Sequence, residues 1–238
     1  MNNLNLYLKT QKPIKFYDIC IIHQPSFEEI LDYNVDEFEN LLLPYCITLD
    51  SVSEVLTEEE KKGLTNFDLL YSSQEFLTYL FISLEFFCKS KIIDFNEKGI
   101  LFQDYNGRLN KNNFDEFAEI ILNICGRERP RVEKKVFANE RQRDIWEKLQ
   151  EGRRKHAKKN ELRLEDVLNI CEFGGNYYIP IEEIIKWSLW RILNCYKSII
   201  GISSYEDSFD IFLVSGKKEL IENKHWTELI KLSYISQE

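Results

Sequence analysis

Residues 72–103 read SSQEFLTYLFISLEFFCKSKIIDFNEKGILFQ, and this stretch is the best guide to the fold. Ser72 and Glu75 have the spacing of a capping box, in which the N-cap and the third helical residue bind each other's backbone N–H groups. We therefore predict a strongly apolar helix over residues 73–89. Its most apolar part, Phe76–Cys88, is too short and too polar to span a bilayer, so we interpret it as a buried core helix.

The second half of the stretch has a different pattern. The apolar runs IIDF and ILFQ flank the tetrad NEKG, which places Gly99 late in a turn. Short apolar runs on either side of a glycine-containing turn are typical of a β-hairpin. We predict one over Ile92–Gln103.

Helix signals also lie on the N-terminal side of this stretch and just beyond it. Two more capping boxes are present, at Ser26 with Glu29 and at Thr57 with Glu60. Val35–Leu43 is predicted as a short amphipathic helix that Pro44 ends. Asn113 is a favourable N-cap for a helix over Phe114–Cys125, and Gly126 suits the position after its end.

The C-terminal half has two strong helix patterns. Glu161–Glu172 is predicted as a helix that Gly174 and Gly175 end. Ile181–Ile200, preceded by Pro180 and closed by Gly201, has the clearest helical periodicity of the chain. Its apolar stripe consists of Ile184, Ile185, Leu189, Ile192 and Tyr196, widened by Trp187 and Trp190. One more apolar segment, Phe209–Val214, precedes a last amphipathic helix around residues 226–232.

These patterns predict a mainly α, helical bundle-like protein with one small β-hairpin in its N-terminal half. Only 9 Gly and 5 Pro occur in 238 residues, which argues against a turn-rich β-sandwich. We divide the chain into an N-terminal helical domain (1–126), a basic linker or helix (127–160) and a C-terminal helical domain (161–238).

The residues that usually carry chemistry form no recognisable motif. The six cysteines include no C-x-x-C pair, and the three histidines are widely separated, so we expect no metal, no cofactor and no catalytic site. Acidic clusters such as Glu58–Glu60 and Glu182–Glu183 lie at predicted helix N-termini, where carboxylates favour the helix dipole. The N-terminus has no pattern of a secretion signal, so we expect reduced, buried thiols and a cytoplasmic location.

The charge distribution has one anomaly. Residues 127–159 contain 13 Lys or Arg and 6 Asp or Glu, a local net charge of +7, while the rest of the chain carries −16. Such a segment could follow a nucleic-acid backbone. The acidic chain and the scarcity of aromatic residues in the segment favour instead an acidic protein partner or another copy of the chain.

A family resemblance covers the chain from Ile145 to the C-terminus. It rests on I-W-x-x-L-Q-x-G-R at Ile145–Arg153, D-V-L-N at Asp166–Asn169, the pair Gly174 and Gly175, W-S-L-W-R-I at Trp187–Ile192 and K-H-W at Lys224–Trp226. With these features the chain resembles the tail assembly chaperones encoded in tail-gene regions of phages and prophages of low-GC Gram-positive bacteria.

The resemblance implies a non-enzymatic protein that binds an aggregation-prone tail protein, the tape measure protein, in the bacterial cytoplasm. Exposed tryptophans are frequent anchors of such contacts, although each tryptophan here could equally belong to the core. The candidate partner-binding residues are Trp146, Arg153, Arg154, Lys155, Lys158, Lys159 and Trp226. The alternatives are a structural tail or connector protein of the virion and a nucleic-acid-binding regulator that uses residues 127–159.

Overall fold

The computed structural model describes residues 4–51, 63–71, 73–129 and 163–216, together with residues 148 and 151. The predicted mainly α class is confirmed. The helices are α1 (Leu4–Thr10), α2 (Phe27–Tyr33), α3 (Val35–Cys46), α4 (Asn66–Leu70), α5 (Gln74–Cys88), α6 (Phe114–Ile124), α7 (Leu164–Phe173), α8 (Ile181–Ile184) and α9 (Leu189–Ser215). The strands are β1 (Ile14–Phe16), β2 (Cys20–Ile22), β3 (Ile92–Asn96), β4 (Gly99–Phe102) and β5 (Arg108–Leu109).

The core is built from aromatic side chains of α3, α5 and α6. Tyr45 of α3 is fully buried and lies between Phe114 and Phe117, with ring centroids 6.1 and 6.0 Å away. Its hydroxyl accepts a 2.9 Å hydrogen bond from the Ser83 hydroxyl of α5, which satisfies a polar atom in an apolar interior. The predicted core helix around Phe76–Cys88 is therefore confirmed as α5.

The predicted hairpin is present as the antiparallel pair β3–β4, in which Ile92 lies opposite Phe102. The prediction of a single hairpin is incomplete. A short third strand, β5, pairs with β4, and β1 and β2 form a separate two-stranded sheet. Gly99 is required where β4 meets β5, because a Cβ there would lie 2.3 Å from the Leu109 carbonyl oxygen.

The predicted helix boundaries are correct where the capping residues lie next to the helix in sequence. Ser26 and Glu29 form the expected capping box of α2, and Gly126 follows α6 with a φ of +67°. The expected stop at Pro44 is wrong, because α3 continues to Cys46. Proline removes one backbone hydrogen bond from the last turn, but burial of Leu42 and Tyr45 on the neighbouring helices outweighs that loss. Ser72 and the Thr57–Glu60 box lie outside the described residues.

The predicted helix over Ile181–Ile200 is interrupted. α8 ends at Ile184, and α9 begins at Leu189 with the Ser188 hydroxyl accepting from the Arg191 N–H at 3.4 Å. The intervening loop caps another helix, because the carbonyls of Ile185 and Trp187 accept from the first N–H groups of α2, at 2.9 and 2.8 Å. Gly201 does not close the helix, which runs on to Ser215.

The C-terminal helices pack on the same core as the N-terminal ones. Cys171, Ile184 and Ile192 are fully buried in a cluster that also contains residues of α3, α5 and α6. Gly126 lies against Leu193 of α9, where a Cβ would be 2.3 Å from Leu193 Cδ1. The domain boundaries near residues 126 and 160 stay predictions, because most of residues 127–160 lie outside the described residues.

Candidate partner-binding surface

All seven residues proposed from the sequence as partner contacts lie outside the described residues, namely Trp146, Arg153, Arg154, Lys155, Lys158, Lys159 and Trp226. Their roles stay predictions. The other two tryptophans do not supply exposed anchors. Trp190 is buried, and the half-buried ring of Trp187 is covered by the Arg191 guanidinium, 4.2 Å from the ring centroid.

A group of exposed apolar residues lies on the distal half of α9, residues 200–215. None of these residues is buried, although half of the segment IGISSYEDSFDIFLVS is apolar or aromatic. Val214 is 91% exposed, and Leu213 63%. A patch of exposed apolar side chains is typical of a protein-interaction surface, so this part of α9 is suited to a partner.

A second exposed apolar group lies in the turn after α7, which we call the aromatic turn (residues 173–178). Phe173, Tyr177 and Tyr178 are all exposed, Tyr177 by 84%. The rings of Phe173 and Tyr178 are 5.6 Å apart, and the Tyr178 hydroxyl donates to Glu172 at 3.3 Å. Loss of some solvation and the neighbouring Glu172 carboxylate raise the pKa of Tyr178.

The aromatic turn and the distal half of α9 adjoin at Ile199. A Cβ on Gly174 would lie 3.3 Å from Ile199 Cγ2, and one on Gly175 would lie 3.8 Å from Ile199 Cδ1. Gly174, the first residue of the glycine pair seen in the sequence, therefore allows the end of α7 to approach α9 closely.

The charge on this surface is acidic. Glu206, Asp207 and Asp210 are exposed on the distal half of α9, and no lysine or arginine occurs between Lys197 and Lys217. Two copies of this helix packed side by side would bring six carboxylates together, which is unfavourable. A partner segment with basic residues beside an apolar face complements the surface better.

Two further features bear on function. No helix in the described part of the chain is long and apolar enough to cross a membrane. Among the described residues, no three His, Cys, Asp or Glu side chains are grouped so that they could hold a metal ion. No protein-family model, no curated protein and no solved structure matches this chain.

The sequence shows that the residues of this surface are apolar or aromatic, but periodicity alone does not predict whether they are exposed. Residues 209–214, read as one more apolar segment, form the end of a 27-residue helix. Tyr177 and Tyr178 lie between the glycine pair and Pro180, outside any periodic pattern. Whether such residues are covered depends on which elements pack against them, and those contacts are long-range.

Proposed function

We propose that this chain is a non-catalytic assembly chaperone that binds an apolar helical segment of a partner protein. In line with the family resemblance, we propose that the partner is a phage tail protein, the tape measure protein, bound in the host cytoplasm before assembly. The observation that supports the proposal is the distal half of α9, a helix with a group of exposed apolar side chains.

The surface is suited to a helical partner by its dimensions. Residues 200–215 form more than four helical turns, about 24 Å long at 1.5 Å per residue. A partner helix that presents apolar residues at i, i+3, i+4 and i+7 could lie along it over that length. The aromatic turn beside Ile199 would extend the contact, since tyrosine and phenylalanine bury large areas at low entropic cost.

The charge of the surface defines the partner further. Glu206, Asp207 and Asp210 favour lysine or arginine beside the partner's apolar face. Such pairs set orientation and association rate, while burial of the apolar side chains supplies most of the affinity. A long tape measure chain that contains apolar helices would thus be kept from self-association until tail assembly.

The proposal is tested by co-expressing the chain with a tape measure protein of such phages and measuring how much of that protein stays soluble. We expect the wild type to keep it soluble and the variant Leu213→Ser to lose most of this effect. Ile93→Ser is the matched control, because Ile93 on β3 is 61% exposed and Leu213 is 63% exposed. Equal effects of the two substitutions would contradict a binding role for α9.

Purified phage particles distinguish a chaperone from a structural protein of the virion. A chaperone is expected to be absent from purified phage particles, whereas a tail or connector protein would be retained in them. Recovery of the chain from particles at a fixed stoichiometry would replace the chaperone proposal by the structural one.

A further inference from the structure

The packing of α7 on α9 brings two cysteines together, one from each helix. Cys171 of α7 is fully buried, and Cys195 of α9 is half-buried. The two thiols lie beside each other. The Cys171 Sγ also lies 3.5 Å from the carbonyl oxygen of Ile192, one turn before Cys195. The fold thus pairs a partly accessible thiol with a buried one.

The surroundings of the pair make the two thiols chemically unequal. The adjacent Cys171 thiol lowers the pKa of Cys195 against the opposing effect of burial, and Arg191 on the preceding turn of α9 lowers it further. The adjacent Cys195 thiol and burial raise the pKa of Cys171. The lowered pKa favours the thiolate, the nucleophilic form, at Cys195, and the raised pKa favours the protonated form at Cys171.

We propose that Cys195 and Cys171 form an oxidant-responsive dithiol, which peroxides convert into a disulfide that ties α7 to α9. In the first step the Cys195 thiolate attacks one peroxide oxygen, the O–O bond breaks, and hydroxide leaves with Cys195 as a sulfenic acid. In the second step the Cys171 sulfur attacks the Cys195 sulfur, the S–O bond breaks, and the Cys171 proton leaves in water. Two thiols supply the two electrons that reduce hydrogen peroxide to two waters.

A second cysteine pair in the same chain provides an internal control. Cys20 of β2 and Cys88 of α5 also lie beside each other, but both are buried, at 0% and 3% exposed. The adjacent Cys20 thiol and burial raise the pKa of Cys88 well above its usual value. Contact alone does not make a thiol reactive, so this pair should stay reduced under conditions that oxidise Cys171 and Cys195.

The test uses the full chain, first reduced and then treated with graded hydrogen peroxide, followed by peptide mass mapping without reductant. We expect a peptide cross-linked through Cys171 and Cys195 to form first, while Cys20 and Cys88 remain thiols. The oxidised chain should also melt about 5–10 °C higher, because the bond closes the loop between residues 171 and 195. In Cys171→Ser, dimedone should label Cys195 as a trapped sulfenic acid.

Two results would overturn the proposal. One is that Cys195 remains a free thiol at peroxide levels that already oxidise Cys20 and Cys88. The other is that dimedone labels Cys195 equally in the wild type and in Cys171→Ser, because Cys171 would then not resolve the sulfenic acid. The peptide mapping uses the wild-type chain, so its result does not depend on whether the Cys171→Ser variant folds.

Discussion

Trp187 and Trp190 are three positions apart in sequence, yet they lie in different environments. The Trp190 ring is buried, only 3% exposed, and its indole N–H has no acceptor among the described residues. Trp187 packs on the edge of the core and is covered on one face by Arg191. Both were predicted to lie in the apolar stripe of one helix, but the break at residues 185–188 separates them.

This difference predicts unequal costs for the same truncation. We expect Trp190→Ala to lower the free energy of unfolding by about 3–5 kcal/mol, because it leaves a cavity in the core. Trp187→Ala should cost about 1–2 kcal/mol, the loss of partial burial and of the cation–π contact. Urea unfolding of the two variants measures both values. Equal losses would mean that Trp187 is as deeply buried as Trp190.

His23 makes stability depend on pH. Burial, followed by the nearby Lys89 ammonium, lowers the pKa of His23. The unfolded chain then binds a proton more readily than the folded one, so this contribution is complete above the ordinary histidine pKa of about 6.5 and is lost as the pH falls below it. We expect the melting temperature to fall between pH 7 and pH 5, and to fall less in His23→Gln. A wild-type chain that gains stability over this range would contradict the sign.

Among the secondary-structure elements, helix ends were predicted correctly where the capping residues are neighbours of the helix in sequence. Ser26 with Glu29 and Gly126 mark the ends of α2 and α6 as predicted. The interruption between α8 and α9 has a different origin, because its carbonyls are used by α2, about 160 residues earlier in the chain. The periodicity of residues 181–200 gives no information about that contact, so it could not predict the break between the two helices.

The other features that were not predicted are very short or depend on contacts with distant parts of the chain. β1 and β2 have three residues each, too few for an alternation to be recognised, and β5 has two. α3 passes through Pro44 because its apolar face is buried on α5 and α6. The candidate surface could be predicted as apolar, through Phe209–Val214, but its exposure depends on the packing of the whole chain.

The end of α7 is tested by its glycine pair. A Cβ on Gly174 would lie 2.6 Å from the Ile170 carbonyl oxygen and 3.3 Å from Ile199 Cγ2 of α9, whereas one on Gly175 meets nothing closer than 3.8 Å. We expect Gly174→Ala to lower the free energy of unfolding by about 1–3 kcal/mol, the usual cost of overpacking, and Gly175→Ala to change it little. Thermal unfolding of both variants is the measurement. A larger loss in Gly175→Ala would show that the close approach lies elsewhere.

At the scale of the whole molecule, charge is strongly segregated along the chain. Residues 127–159 carry +7 and the remainder −16, and all charged residues in the distal half of α9 are acidic. This distribution favours protein contacts of opposite charge over binding to nucleic acid.

The basic segment gives a prediction of its own. Reversing Arg153, Arg154 and Lys155 to Glu should slow partner capture or self-association and make it less salt-sensitive, with the melting temperature unchanged. A gel-shift assay at physiological salt checks the nucleic-acid alternative with the same variant. Tight binding of DNA or RNA by the wild type, abolished by the reversal, would instead favour the regulator.

We propose that the distal half of α9 and the aromatic turn bind a basic, apolar helix. Hydrogen–deuterium exchange of the full chain is the decisive measurement, with a peptide of about 18 residues, five helical turns, that carries a leucine stripe flanked by lysines. We expect slower exchange in residues 200–215 and 173–178, no change in α5, and weaker protection when glutamates replace the lysines. Unchanged exchange in α9 at peptide saturation, or equal protection by the glutamate peptide, would contradict it.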